Sequence, residues 1–141
     1  MKLLHLILLA VSTTLCLAGE AKLNLNDPVT LKQIRAEAID YDDLKYGDDE
    51  NEDLIYAKGN PTPYTGWTEL SCGVKGLQVL EHYKNGKTHG IYTEWHKNRR
   101  MSCMVNYKDG KKHGLDTRWD REGNITRQVR YENGQQVETI K

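Results

Sequence analysis

The feature that most constrains the fold is a motif that returns at a fixed spacing of 24 residues. Residues 83–90 read Tyr-Lys-Asn-Gly-Lys-Thr-His-Gly, and residues 107–114 read Tyr-Lys-Asp-Gly-Lys-Lys-His-Gly. Trp95 falls on Trp119 at the same spacing, and Tyr131 begins a third copy. A constant period of this length is typical of repeat proteins, in which each copy is one supersecondary unit.

Each copy contains turn signals separated by runs that favour strands. Asn-Gly or Asp-Gly pairs occupy positions 85–86, 109–110 and 133–134, and the runs between turns are rich in Val, Ile, Thr, Tyr and Trp. This pattern predicts a β-meander in which each repeat is one hairpin. We expect a three-residue loop at residues 84–86 with a glycine bulge, because that loop keeps odd-numbered residues on one face of both strands.

Side chains alternate between the two faces of a strand, so this loop predicts one aromatic and aliphatic face and one largely wetted face. His89 then points inward. The predicted apolar face is formed by the odd-numbered residues, among them Val79, Tyr83, Ile91, Trp95, Cys103, Val105, Tyr107, Trp119, Val129 and Tyr131.

The repeated Tyr-x-Asn-Gly-Lys-x-His-Gly text, followed by Tyr92 and Trp95, resembles the MORN-repeat proteins. It is most similar to the variant found in bacterial proteins labelled YwqK-type antitoxins, and the likeness extends from about residue 53 to residue 138. The resemblance implies an open antiparallel meander of MORN-like hairpins. The sequence as a whole therefore predicts a mainly β fold, with one short helix before the meander. The resemblance also implies an antitoxin or immunity role, although such repeats specify a fold far better than a function.

Residues 1–19 have the composition of a secretory signal peptide. Lys2 precedes an apolar run, and small residues follow up to Gly19, which is the order of a cleavable signal. The sequence therefore predicts an exported protein, periplasmic or secreted. Cys16 raises the alternative of a lipoprotein, but the bulky Leu15 before it disfavours lipid attachment.

Residues 20–52 are expected to form a short helix and an acidic linker ahead of a repeat domain at residues 53–141. Asp27 and Pro28 favour a helix start, because the aspartate can cap free amides and proline suits the first turn. The stretch 40–53 holds eight acidic residues and one lysine. A calcium loop there would need ligands at Leu44 and Tyr46, which offer none, so we interpret it as a solvated linker or an acidic contact site.

The formal net charge of zero conceals a division along the chain. Residues 20–66 hold 11 acidic and 5 basic side chains, and residues 67–141 hold 9 acidic and 14 basic ones. The basic residues are scattered over turns, which disfavours nucleic-acid binding and gives no indication of lipid contact. Docking of the acidic segment on the basic array is an equally economical interpretation.

Chemistry-bearing residues do not converge in the predicted sheet. Cys72 and Cys103 are three strands apart, about 14 Å, which is too far for a disulfide. His82 and His96 are expected to face away from His89, so no metal site is predicted. No nucleophile with a base and no phosphate loop occurs, and we expect neither a cofactor nor enzymatic activity.

Two surfaces are candidates for binding a partner. The first is the aromatic face, with Trp67, Trp95 and Trp119, which a helix of about 18 Å cannot cover. Sheet curvature, the acidic segment, a second copy of the chain or another protein could cover it. The second is an apolar patch on the polar face, where Tyr92 is expected to pair with Met104 and to lie diagonal to Leu80.

The sequence therefore predicts an exported, non-catalytic protein-binding or scaffolding module of the cell envelope or exterior. The alternative is an antitoxin or immunity protein that neutralises a toxin. A signal peptide argues against a cytosolic antitoxin but is compatible with periplasmic immunity.

Overall fold

The computed structural model describes residues 23–48, 53–72 and 77–141, so the predicted signal peptide lies outside the described residues. The helix α1 spans Pro28–Glu37, and a turn of 3-10 helix follows at Tyr41–Asp43. The strands are β1 (Ile39–Asp40), β2 (Leu44–Tyr46), β3 (Ile55–Ala57), β4 (Gly66–Cys72), β5 (Leu77–Lys84), β6 (Lys87–Trp95), β7 (Met101–Lys108), β8 (Lys111–Trp119), β9 (Ile125–Glu132) and β10 (Gln135–Thr139).

Eight of these strands form one open sheet in the order β1-β4-β5-β6-β7-β8-β9-β10. The two-residue strand β1 runs parallel to β4, and each later strand pairs antiparallel with the one before it. Strands β2 and β3 form a separate antiparallel pair. The predicted fold, a mainly β open antiparallel meander preceded by one short helix, is confirmed.

Helix α1 begins where the sequence predicts. The Asp27 carboxylate accepts hydrogen bonds from the backbone N–H of Thr30 (2.9 Å) and from its hydroxyl (2.5 Å), which holds the pKa of Asp27 below its usual value. The helix ends at Glu37, so Tyr41 lies beyond it. Ile34 is the buried residue of the helix.

The hairpin loops are shorter than predicted. Lys84 pairs directly with Lys87 across the first of them, which leaves a two-residue loop. The central residues Asn85 and Gly86 have φ angles of 51° and 76°, as a type I′ turn requires. This turn matches the right-handed twist of the strands, so it is favoured over the three-residue loop, and that prediction is wrong.

A two-residue loop places odd-numbered residues opposite even-numbered ones, so the predicted division into one apolar and one wetted face is also wrong. Both faces hold buried side chains. The face that Arg35 of α1 packs against, here the helix face, buries Leu80, Thr93, Trp95 and Thr117. The opposite face, here the groove face, buries Thr68, Tyr83, Cys103, Val105, Asp116 and Val129.

Hydrogen bonds from the backbone amides of one turn to the preceding turn repeat at 24-residue intervals. The N–H groups of Gly86, Gly110 and Gly134 donate to the carbonyls of Tyr64, Thr88 and Lys112, each at 2.8 Å. The amides of Asn85, Asp109 and Asn133 donate to the side chains of Thr65, His89 and His113. His89 therefore bonds to the next turn, with 30% of its side chain exposed, instead of pointing into a core.

The described residues of the acidic stretch form a 3-10 turn and strand β2, whereas the sequence predicted a solvated linker. Leu44 and Tyr46 pair with Ala57 and Ile55 across the β2–β3 hairpin. The amide of Lys58 donates to the carbonyl of Asp43 at 2.8 Å. The described carboxylates of this stretch are exposed to solvent, and its tyrosines Tyr41 and Tyr46 are 38% and 68% exposed.

Candidate binding groove

A groove of about 470 Å³ opens on the groove face, at the end of the sheet where the Asn-Gly and Asp-Gly turns lie. Its floor comes from β5 and β6, and one wall comes from the acidic stretch and β3. The lining residues are Tyr41, Tyr46, Asp53, Ile55, Glu81, Tyr83, Gly86, Lys87, Thr88, Asp109, Gly110 and Lys111.

Glu81 lies on the floor of this groove. Its two carboxylate oxygens accept hydrogen bonds from the hydroxyls of Tyr83 (2.9 Å) and Thr88 (2.8 Å). Burial raises the pKa of Glu81 above 4.5, against the opposing effect of these two hydrogen bonds. Burial, together with the nearby carboxylate, also raises the pKa of Tyr83. The floor is therefore a carboxylate held by neutral hydroxyl groups.

The tyrosines of the wall converge on the same point. Burial raises the pKa of Tyr41, and the hydroxyl of Tyr46 and the charge of Glu81 add to this effect. Tyr41 and Tyr46 in turn add to the rise in the pKa of Tyr83. Tyr41 and Tyr46 of the wall therefore lie near Glu81 and Tyr83 of the floor.

The wall is fixed to the sheet by backbone contacts. The Ile55 N–H donates to the Gly86 carbonyl at 2.9 Å, and the Tyr64 N–H donates to the Ile55 carbonyl at 2.8 Å. A Cβ atom on Gly86 would lie only 3.0 Å from the Ile55 carbonyl oxygen and 3.1 Å from Leu54 Cβ. Strand β3 thus approaches this turn closely because residue 86 has no side chain.

The rim of the groove is charged. Lys87 and Lys111 come from successive turns, and Asp53 and Asp109 stand among them. Asp109 is 70% exposed and contacts the His89 ring at 3.2 Å. With Glu81, the lining therefore holds three acidic and two basic side chains.

A second carboxylate, Asp116, lies in the same cross-strand row as Glu81. The row runs through Thr68, Glu81, Tyr92, Val105, Asp116 and Val129. Asp116 is fully buried, and its partners are the Lys112 ammonium at 2.7 Å and the Arg118 guanidinium at 3.6 Å. Lys112 also lies 4.9 Å from the centre of the Tyr131 ring.

A second cleft, of about 410 Å³, lies at the opposite end of the strands, between residues that include Glu94, Trp95, Cys103 and Trp119. Cys103 is a buried free thiol, and burial raises its pKa to about 11. Such a thiol is protonated at neutral pH and a poor nucleophile.

The predicted patch of Leu80, Tyr92 and Met104 is not brought together. Tyr92 pairs with Glu81 and Val105 on the groove face, while Leu80 and Met104 flank Thr93 on the helix face. Leu80 is fully buried, so it belongs to the core. The two-residue loop at Asn85–Gly86 turns Tyr92 away from Leu80. A register shift between Glu94 and Trp95 turns it away from Met104.

The three tryptophans do share the helix face, but they do not form one open surface. Trp95 is buried, with the Arg35 guanidinium 5.3 Å from its ring centre. Trp67 contacts the His82 ring edge-on at 4.9 Å. Trp119 is half-buried at the second cleft. Arg35 of α1 therefore packs on one of the three tryptophans.

Sequence reasoning missed Glu81, although a signal for it exists. The residues 24 and 48 positions later are Val105 and Val129, so a carboxylate stands where the other copies have a buried valine. No comparable signal marks Tyr41 and Tyr46, because they lie outside the repeats.

Comparisons with known proteins add no further identification. No protein-family model, curated protein or solved structure matches this chain. Among the described residues, no group of three or more His, Cys, Asp or Glu side chains is arranged to hold a metal ion. No helix in this part of the chain is long and apolar enough to cross a membrane.

Proposed function

We propose that this chain is a non-catalytic protein-binding module of the cell envelope or exterior, and that its partner docks over the groove beside Glu81. The observation that carries the proposal is the groove itself. It combines a volume of about 470 Å³, a fixed β3 wall and a polar floor that the described residues leave open. A few polar groups placed in a cleft are the usual means of specific recognition.

Other surfaces suit a partner less well. The last strand, β10, is exposed along its whole length, but a bulge between Gln136 and Glu138 interrupts its ladder. Bulges on edge strands discourage the addition of a further strand. The aromatic helix face is partly occupied by Arg35. The groove is therefore the better docking site for a partner than either surface.

Site-specific photo-crosslinking in the producing cell tests this proposal. A photoreactive residue would replace Lys87 at the groove rim or, as the control, Arg121 in an exposed turn at the other end of the strands. We expect one protein to be captured from position 87 and not from position 121. The purified partner should then bind the full chain, and a bulky Thr88→Trp substitution inside the groove should weaken that binding at least tenfold.

Equal capture from both positions, or binding that Thr88→Trp leaves unchanged, would contradict the groove as the docking site. Capture of a second copy of this chain would instead indicate a self-associating scaffold, which light scattering after size-exclusion chromatography would detect as a dimer.

The alternative function, an antitoxin or immunity protein, is favoured by the repeat motif that resembles YwqK-type antitoxins. Under this alternative, the captured partner is a toxin whose activity the chain suppresses. A toxin-like reading frame beside the gene would favour this role, and its absence would favour the scaffold.

A further inference from the structure

The electrostatic state of Glu81 indicates what kind of partner group the groove accepts. Within the described residues, the ion pairs closer than 4.0 Å do not include Glu81, whose hydrogen-bond donors are two neutral hydroxyls. A carboxylate that loses water without gaining a cation is destabilised, and a cation placed against it recovers that free energy.

The surroundings of the groove favour a cation over an anion. Its lining holds Asp53 and Asp109 as well as Glu81, against two lysines. The described residues 40–48 and 53, among which Tyr41, Tyr46 and Asp53 line one wall, carry five acidic residues and one lysine. This excess of negative charge would attract a positively charged group and increase its rate of encounter.

The shape and lining of the groove favour a long side chain over a bare ion. Tyrosine rings from the wall and from β5 line the path to the carboxylate. Methylene stems of lysine and arginine pack on such rings while the charged head reaches a polar partner. A small hydrated ion would leave this aromatic surface without a contact.

We propose that the groove is a receptor for a lysine or arginine side chain of the partner protein. The cationic head contacts Glu81, and the stem lies along Tyr41, Tyr46 and Tyr83. This inference rests on the proposed function and specifies the partner group that the groove recognises.

Titration of the full chain with short peptides, followed by NMR, tests the inference without knowledge of the partner. The probes are acetyl-Gly-Lys-Gly-amide, acetyl-Gly-Arg-Gly-amide and the uncharged acetyl-Gly-norleucine-Gly-amide. We expect the charged peptides to shift the Thr88 and Gly110 amide signals and to bind at least tenfold more tightly than the norleucine peptide. Added salt should reduce this preference.

Glu81→Gln should lower the affinity for the charged peptides about tenfold and leave that for the norleucine peptide unchanged. The matched control is Glu94→Gln. Glu94 also accepts a hydrogen bond from a tyrosine two residues away, Tyr92 at 2.5 Å, but it lines the second cleft. This control should bind like the unmodified chain. Denaturation curves of both variants would establish that they are folded.

Three outcomes would overturn the inference: no binding of the charged peptides, equal binding of the norleucine peptide, or an unchanged affinity in Glu81→Gln. If the peptides fail but crosslinking at position 87 captures a partner whose binding Thr88→Trp weakens, the proposed function stands and the recognition of a basic side chain is wrong. If crosslinking fails as well, the proposed function is also wrong.

Discussion

Glu81 and Asp116 are two carboxylates in one cross-strand row, but only Asp116 has basic side chains as partners. Asp116 is fully buried and contacts Lys112 at 2.7 Å and Arg118 at 3.6 Å, both from its own strand. Glu81 accepts hydrogen bonds from two hydroxyls and opens onto the groove. The repeat that contains Asp116 thus supplies its own cations, whereas the Glu81 repeat does not.

The difference arises from the equivalent positions of successive repeats. Thr88 stands 24 residues before Lys112, so the Glu81 repeat has a hydroxyl where the next repeat has an ammonium group. Tyr92 likewise corresponds to Asp116. A shared backbone with different side chains can therefore produce a closed structural ion pair in one copy and an open binding site in its neighbour.

The largest expected effect comes from removing the cation of Asp116. Lys112→Met should lower the free energy of unfolding by about 3 kcal/mol, the lower end for a broken buried pair because Arg118 remains nearby. Urea denaturation measures this loss. Lys108→Met, at an exposed position, should change stability by less than about 0.5 kcal/mol.

A double variant sharpens that result. Lys112→Met combined with Asp116→Val should recover most of the lost stability, because replacing a whole buried pair by apolar residues is often neutral. If the single variant is as stable as the control, Asp116 does not depend on Lys112 for compensation.

The next largest effect is a difference in stability between alanine substitutions in two successive turns, at Gly86 and at Gly110. Gly86→Ala should destabilise the protein by about 2 kcal/mol more than Gly110→Ala, because a Cβ at residue 86 collides with β3 while residue 110 has room. Both glycines have positive φ angles, so Gly110→Ala alone should cost about 1 kcal/mol. Chemical denaturation of the two variants compares them directly, and equal losses would show that β3 does not hold the groove wall against Gly86.

A smaller effect concerns the hydroxyl groups around Glu81. Tyr83→Phe removes one donor to the carboxylate and should cost about 1.5 kcal/mol, the lower range for a hydrogen bond to a charged group. Tyr131→Phe is the matched control, since Tyr131 stands two repeats later and its ring contacts Lys112. Thermal or urea unfolding should show less than about 0.5 kcal/mol for this control. Similar losses in both variants would argue against a role for the Tyr83 hydroxyl.

The smallest effect is a pH dependence at Glu81. Because the folded state raises its pKa above 4.5, the folded state binds the proton more tightly than the unfolded state. Glu81 therefore contributes its full stability below pH 4.5, and this contribution is lost as the pH rises through the folded-state pKa. Glu81→Gln cannot ionise, so its stability relative to the unmodified chain should increase between pH 4 and pH 7. Urea midpoints across this range would contradict the assignment if the difference stayed constant or fell.

Much of the fold could be predicted from local sequence, because local physics decides it. Asn-Gly and Asp-Gly pairs favour the positive φ angles of tight turns, and Asp27 caps the helix through its immediate neighbours. The length of the loop could not be derived in this way. An error of one residue in the loop reverses the faces of a whole strand, and this error separated Tyr92 from Leu80. An unpredicted register shift between Glu94 and Trp95 separated Tyr92 from Met104.

The sequence by itself determined the 24-residue period, the meander and the placement of the turns, since these follow from backbone preferences that each segment carries locally. Tertiary structure alone decided where the site lies. Tyr41 and Tyr46 line the same groove as Glu81, and the contact between β3 and the Gly86 turn that fixes this wall joins segments about 30 residues apart. The repeat places a hydroxyl at residue 88 and an ammonium group at residue 112, but only the folded sheet brings Thr88 against Glu81 on the neighbouring strand.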